Sequence, residues 1–446
     1  MAETARTAAV RFLNRIAQDG AYSNLLLREK LGDTGLNARD RALCSTLVYG
    51  VLERRITLDY VIASHSRIRL SEIDLLPLNC LRVGAYQLLF LDRIPPSAAI
   101  NESVRAVKQL GGAQSAGFVN AVLHSIDRAG KSIAYPPEKN RKTHLSIKYA
   151  CPQWIVRLWL AAYGPAHTEA LLQAALGRPP LTVRVNTCRI APDQLIERLA
   201  AEGVAAAHHP LLPDALNLTG TGEIDALQAY RDGLFHVQDA ASQLCAQLLD
   251  AQPGERVADV CAAPGGKSFT VAERMQNLGA VDAFDLYPAR TALIAAGAAR
   301  LGLNIIHTAV RDAQTGPTDC LYDRVLCDVP CSGLGILRRK PEIRDKSKDL
   351  LDNLPELQYS ILIHTAKLVA PGGTLIYSTC ALDPAENGAV ADRFATAHPE
   401  FVPLPIAPEF PRWGAEPAHQ LTLMPHLHGT DGFFIAAFRR DAATPV

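Results

Sequence analysis

Two cysteines close short apolar, β-type runs: Cys331 in Asp328-Val329-Pro330-Cys331-Ser332-Gly333 and Cys380 in Tyr377-Ser378-Thr379-Cys380. A thiolate is a strong nucleophile and a good leaving group, so two thiols at adjacent strand ends suit a reaction in which one adds and the other assists its release. Alkylation of carbon 5 of cytosine is such a reaction. That carbon attacks a methylsulfonium only after a nucleophile has added at carbon 6 and generated an enamine; a base then removes the C5 proton and the sulfur is eliminated. Asp328 is a candidate to hydrogen-bond the N3/N4 edge of a base that has been unstacked and inserted into a pocket. From the residues alone, either thiol can be the nucleophile. Cys44, Cys80, Cys151, Cys188, Cys245 and Cys320 are expected to be buried, inert packing residues.

A second constellation begins at Asp259-Val260 and runs through Cys261, Ala262, Ala263, Pro264, Gly265, Gly266 and Lys267, leaving a strand and entering a helix. Small residues and two glycines let a ligand approach the backbone, and the helix start offers free N–H donors. At Cys261 the backbone is the expected contributor. The run is neither a dinucleotide fingerprint nor a phosphate loop, which disfavours a phosphate ligand. Asp285 ends the next strand, 20 residues beyond Gly265, where a carboxylate can accept from both hydroxyls of a ribose. Asp312, in the turn Arg311-Asp312-Ala313, is placed to reach an adenine amino group. A nucleoside without phosphates fits this set, and S-adenosyl-L-methionine is the expected cofactor. The histidines and cysteines show no metal-ligand spacing, so no metal is expected.

These residues need a scaffold that presents strand ends side by side. After residue 240 the pattern alternates strand, glycine turn and helix, with strands predicted at 256–260, 281–285, 304–308, 324–328 and 374–378. That alternation predicts a parallel sheet covered on both faces, with ligands at the carboxyl ends of its strands. Residues 1 to about 130 read as a helical bundle: Phe12, Leu13 and Ile16, and Leu78, Leu81, Val83, Leu88 and Leu89, recur at helical spacing, and Pro95-Pro96 separates two helices. Residues 135–142, rich in Pro and Lys, read as a linker. A small mixed region follows, with a strand at 182–186 and a helix at 193–203. The domains are read as 1–135, 143–235 and 236–446.

A length of 446 residues, 48% of them hydrophobic, supports two or three such cores. The net charge of zero conceals an asymmetry: residues 1–150 carry 21 Lys+Arg against 13 Asp+Glu, and residues 151–446 carry 24 against 32. A basic front end suits a chain that grips a polyanion. Arg338, Arg339, Lys340, Arg344, Lys346 and Lys348, directly after the Cys331 motif, are expected to meet RNA phosphates. No apolar run is long enough to span a bilayer, and the opening residues lack a secretory apolar stretch, so a cytoplasmic protein without a membrane partner is expected. The ten scattered cysteines are then read as reduced thiols.

Taken together, CAAPGGK (261–267), Asp285, Asp312, DVPCSG (328–333) and STC (378–380) resemble the RNA cytosine-5 methyltransferases. RRKPEI (338–343), the Pro384/Glu386/Asn387 stretch and GTDGFF (429–434) extend the resemblance over essentially the full length. GFVNAVL (117–123) resembles the RNA-binding NusB-like domain, with His124 where a basic residue is usual. The resemblance implies an all-α NusB-like domain, a small mixed α/β connector domain and a Rossmann-like α/β methyltransferase domain dependent on S-adenosyl-L-methionine. It implies Cys380 as nucleophile and Cys331 as the product-release thiol, with residues 261–267, Asp285, Asp312 and Asp328 lining the cofactor site. The implied substrate is one cytosine of 16S (small-subunit) ribosomal RNA, naked or partly assembled, acted on by a monomer. DNA cytosine-5 enzymes use the cysteine of a Pro-Cys motif, which nominates Cys331; the Thr-Cys pair and the RNA-binding front end favour the RNA assignment. The rivals are the same chemistry on transfer RNA or another ribosomal cytosine, and a non-catalytic RNA-binding assembly factor, against which the intact thiols and glycine loop argue. Val329 and Leu334 replace the Ala and Thr common in the family, and local repacking is expected there.

Overall fold

The front of the chain forms helices where its apolar residues recur at helical spacing: Ala5–Asp19, Ala38–His65, Leu75–Phe90, Pro96–Gln109 and Ala116–Ala129. The computed structural model describes residues 3–19, 30–406, 412 and 414–442. Phe12, Leu13, Ile16, Leu78, Leu81, Val83, Leu88 and Leu89 all lie in one buried core. Pro95 caps the helix that Pro96 begins, where a missing N–H and a fixed φ do no harm. Asn37 caps the longest helix by accepting from the Asp40 N–H at 2.9 Å.

Two compact units divide the chain, Met1–Gly177 with Leu337–Lys346, and Arg178–Ile336 with Ser347–Val446. Residues 141–174 form the helices Arg141–Lys148 and Gln153–Ala174 and fall in the first unit, while the strands that follow them fall in the second. The segment after the Cys331 motif also joins the first unit, which corrects the reading of Arg344. Its side chain is buried and donates to the carbonyls of Leu337 and Ala175, each at 2.9 Å. A guanidinium spent on buried backbone acceptors is not offered to phosphate. Its neighbour Asp345 pairs with Arg55.

The second unit holds two sheets. The smaller is antiparallel, with β1 (Leu181–Val185), β2 (Ala205–His208), β3 (Ala215–Thr219) and β4 (Phe235–Val237) in the order β2-β3-β1-β4. The larger contains β5 (Arg256–Asp259), β6 (Ala280–Asp285), β7 (Ile306–Val310), β8 (Tyr322–Asp328), β9 (Val369–Thr379), β10 (Phe401–Pro403), β11 (Gln420–Leu423) and β12 (Phe433–Arg440). Its order is β10-β12-β9-β8-β5-β6-β7, with β11 against β12. Strands β5 to β9 are parallel, as the alternation predicts. The sheet as a whole is mixed, because β12 runs antiparallel between β9 and β10. The GTDGFF motif (429–434) opens β12, a strand that the alternation of strand, glycine turn and helix does not predict.

Both faces are covered, and the residues show it with period two. Val257, Leu326, Ile376 and Ile435 point into one core with Phe269 and Ile294; Ala258, Val325, Leu375, Tyr377 and Phe434 point into the other with Leu362 and Phe394. Strand order reverses between β5 and β8: from β5 the chain winds outward to β6 and β7, and from β8 to β9. The loops leaving these two central strands therefore part, and a crevice opens at their carboxyl ends.

Candidate active site

Cys331 follows β8 and Cys380 follows β9, and these strands are parallel neighbours with Asp328 opposite Ser378. Val329 N–H donates to Ser378 O at 3.1 Å, carrying the pairing one step beyond β8. The two loops thus start level, and the Cys331 and Cys380 Sγ atoms stand 3.2 Å apart. Thiolates that close repel, so the pair carries at most one negative charge. Contact with Cys380, followed by burial, holds the Cys331 thiol well above its ordinary range.

Behind the thiols lies a chain of charge. Lys267 Nζ donates to Asp328 Oδ2 at 2.6 Å, and Ser378 Oγ donates to Asp328 Oδ1 at 2.8 Å. Burial is the largest influence and works to lower the Lys267 pKa, but the attraction and hydrogen bond of Asp328 together with the fields of Cys245 and Asp259 outweigh it and the ammonium stays charged. Lys267 also sits 5.0 Å from the Phe433 ring centroid, on the strand the sequence reading missed. The cofactor loop and the thiol loop are therefore joined across the strand-order reversal.

The loop from β5 to the helix Gly266–Arg274 is tied at Ala262, whose N–H donates to Phe284 O at 2.7 Å. Gly265 takes φ 107° and packs on Phe269, leaving a Cβ there only 2.4 Å from the ring; glycine is required on both counts. Cys261 packs partly into the apolar core, and its backbone forms the loop. Asp285 ends β6, nearly buried, with Oδ1 accepting from the Tyr287 N–H at 3.2 Å. Asp312 accepts from the Gln314 N–H at 2.9 Å and the Thr315 hydroxyl at 3.1 Å, so it shapes its own turn at the end of β7. Leu286 and Val310, beside these strand ends, are 51% and 54% exposed. Two acids, two exposed apolar side chains and a helix N-terminus suit a ribose and a flat base.

Several residues of the site went unread in the sequence. Glu386 is buried, and its Oε2 accepts from the Ser332 N–H at 2.9 Å and from Gln358 Nε2 at 2.7 Å. Asn387 accepts from the Thr379 hydroxyl at 2.6 Å and donates to Ala381 O at 3.0 Å. Pro384, Glu386 and Asn387 were noticed only as a resemblance; Gln358, within the helix Leu354–Ala366, gave no signal. Gly432 of GTDGFF has a steric cause: its N–H donates to Gly335 O at 2.9 Å, and a Cβ on it would lie 2.7 Å from the Gly335 Cα. Gly335 N–H in turn donates to Cys380 O at 2.9 Å. Of the six cysteines expected to be inert and buried, Cys44, Cys80, Cys151 and Cys245 are buried; Cys188 and Cys320 are exposed, a correction. They lie in loops, where apolar periodicity gives no guide to burial.

Asp259, at the end of β5, accepts from the Ser268 hydroxyl at 2.7 Å. Burial pushes its carboxyl up to about 7, against the lowering effect of that bond and of Lys267. A folded pKa above the unfolded one gives a contribution present in full below the unfolded value and lost as pH rises through the folded one. Between pH 5 and 8 the wild type should lose on the order of 3 kcal/mol from this group. Asp259→Asn, which does not titrate, should show a flatter stability profile over that range in urea unfolding; equal pH 5 to pH 8 differences for both proteins would refute the assignment.

A crevice at the strand-order reversal, a glycine loop opening onto a helix and strand-end acids define a Rossmann-like methyltransferase, here bearing two touching thiols. Residues 246–439 match the 16S rRNA methyltransferase RsmB/F family, residues 3–128 the NusB family, and residues 151–225 the RsmF/B-like ferredoxin-like domain. A probable ribosomal RNA small subunit methyltransferase B of Bacillus subtilis (strain 168) is 38% identical over 448 residues, covering 98% of each chain. The ribosomal RNA small subunit methyltransferase B of Sodalis glossinidius is 32% identical, again over 98% of each. The crystal structure of PH0851 superposes with a TM-score of 0.83 at 26% identity, covering 99% of this chain and 100% of that one. The chain belongs to the 16S rRNA methyltransferase RsmB/F family. It is a methyltransferase with a NusB-like domain, a ferredoxin-like connector and a Rossmann-like domain in a mixed sheet, and its partner is RNA.

Proposed function

We propose that this protein methylates carbon 5 of one cytosine in 16S ribosomal RNA by way of a covalent Cys380 adduct. The observation that carries this reading is the 3.2 Å approach of Cys331 and Cys380 at the ends of neighbouring strands, beside Asp328. Of the two, Cys380 in the Thr-Cys pair is assigned by the family resemblance as the thiol that adds to C6 of the base. Asp328, anchored by Lys267 and Ser378, meets the N3/N4 edge of the flipped base and stabilises the charge of the addition. The C5 carbanion equivalent takes a methyl group, a base removes the C5 proton, and the C6–S bond breaks as Cys331 assists the departure of Cys380.

S-adenosyl-L-methionine would be held by residues 261–267, with Asp285 at the ribose and Asp312 near the adenine, and Asp328 closing the site. When bound it supplies an electrophilic methyl on a sulfonium. The chain contributes backbone N–H donors at the helix start and apolar faces at Leu286 and Val310. We assign RNA gripping to residues 1–135, a connector role to 143–235 and catalysis to 236–446, in a monomer working in the cytoplasm. Among the described residues no helix is long and apolar enough to cross a membrane.

The test is to incubate the protein with methyl-labelled cofactor and separated RNA pools, then map the product with bisulfite. Label in small-subunit ribosomal RNA at one protected cytosine is expected. Label confined to transfer RNA or large-subunit RNA would overturn the target, and absence of transfer with any RNA would leave an assembly factor.

A further inference from the structure

We infer that Glu386 and Asn387 are positioning residues that together set the distance between the two thiols. They are consecutive, yet each holds a different cysteine loop. Glu386 Oε2 accepts from the backbone N–H of Ser332, next to Cys331, at 2.9 Å, and from Gln358 Nε2 at 2.7 Å. The same Gln358 nitrogen donates to Pro330 O at 3.0 Å, so the Cys331 loop is gripped on both sides of the thiol. Asn387 does the same for Cys380: it accepts from the Thr379 hydroxyl at 2.6 Å and donates to Ala381 O at 3.0 Å, again one residue before and one after. Thr379 Oγ1 also accepts from the Ala381 N–H at 3.2 Å, closing the loop on itself.

The turn that carries both residues is itself fixed. Tyr377, on β9, donates its hydroxyl to Glu386 O at 2.6 Å, and Asp383 accepts from the Ala385 N–H at 3.0 Å. Glu386 and Asn387 are both almost fully buried. In that setting their hydrogen bonds are costly to lose and have little competition from water. A carboxylate suits one arm and an amide the other. On the Cys331 side Glu386 meets two N–H donors, Ser332 in the loop and Gln358 on the helix, which a carboxylate satisfies; the Cys380 loop presents a hydroxyl and a carbonyl, which need one acceptor and one donor. Two loops that each ended freely would leave the sulfurs several ångströms of play, and a handover between thiols is steep in distance.

The inference rests on the reading that these thiols carry the reaction, and the experiment separates the two. The first readout needs no RNA: the full chain is equilibrated with reduced and oxidised glutathione and the Cys331–Cys380 disulfide is quantified by peptide mapping. Each glutathione disulfide takes two electrons from the pair, one S–S bond forms in the protein, and the two thiol protons leave on two glutathione thiols. The equilibrium constant reports how often one sulfur meets the other. Glu386→Ala and Asn387→Ala should each lower it tenfold or more. Glu386→Gln should stay within about threefold of wild type: its amide oxygen still accepts from Ser332, and its N–H can reach Gln358 Oε1, a buried oxygen without a hydrogen-bond partner. Asn387→Asp, which puts an oxygen against Ala381 O, should fall with the alanine variant.

The second readout is adduct kinetics on RNA carrying 5-fluorocytosine and on ordinary RNA. Asn387→Ala should slow adduct formation tenfold, and Glu386→Ala should form the adduct but release product slowly. An unchanged disulfide equilibrium in folded Ala variants would overturn the inference. So would equal losses in all four variants that follow their melting temperatures, since that is general destabilisation; if the Ala variants do not fold, the contrast between Glu386→Gln and Asn387→Asp decides. Adduct formation by Cys380→Ser would instead sink the catalytic reading and leave the thiol-spacing result intact.

Discussion

Cys380→Ser should abolish turnover, lowering the rate by roughly ten-thousand-fold or more, and should leave no covalent complex with RNA carrying 5-fluorocytosine. A serine hydroxyl is far less acidic than a thiol, and a neutral oxygen adds poorly to C6. Cys331→Ser should behave oppositely. It retains the nucleophile, so the adduct should form on ordinary RNA and persist, giving one turnover and then arrest. The difference follows from the roles proposed for two thiols whose sulfurs are 3.2 Å apart. Denaturing gel shifts with labelled RNA read both outcomes. If Cys331→Ser lost the adduct and Cys380→Ser kept it, the roles would be exchanged, as in enzymes with a Pro-Cys nucleophile.

The largest stability effect should come from Glu273, far from the thiols. Arg184 on β1 is 1% exposed; its Nε meets Glu273 Oε2 at 3.0 Å and its Nη2 meets Asp214 Oδ2 at 3.2 Å. His236 on β4 approaches Glu273 Oε1 at 3.5 Å. Glu273→Ala strands a buried guanidinium with one partly exposed partner, which should cost about 3–5 kcal/mol. Glu273 is near the end of the helix that begins at Gly266, so the same variant should raise the KM for the methyl donor as the loop at the other end shifts. Arg184→Met combined with Glu273→Leu should recover most of the stability, because replacing both members of a buried pair removes the desolvation cost. Urea unfolding of the three proteins checks this; a double variant as unstable as Glu273→Ala would show that packing, and not the stranded charge, dominates.

The contrast between these two predictions marks what was legible in the chain. Cys331 and Cys380 stood out because each follows an apolar strand run and lies in a short polar loop, signals that reside within ten residues. Glu273 and Arg184 had no such signal. They are 89 residues apart, and their pairing depends on how the ferredoxin-like sheet seats on one helix of the larger domain. Arg344 shows the same gap from the other side: a run of basic residues reads as a surface for phosphate, yet one of its members is withdrawn to cap carbonyls of another segment.

Local pattern alone determined the parallel strands β5 to β9, the glycine loop, the strand-end acids and the two candidate thiols, because periodicity, glycine and turn chemistry are written within short windows. Only the tertiary structure decided that β12 returns antiparallel against β9, that Lys267, Asp328 and Ser378 form one chain, and that two consecutive residues grip both thiol loops. Those facts depend on which strands are neighbours and in what register, and that is settled by the burial of all the apolar faces at once. No single segment carries it.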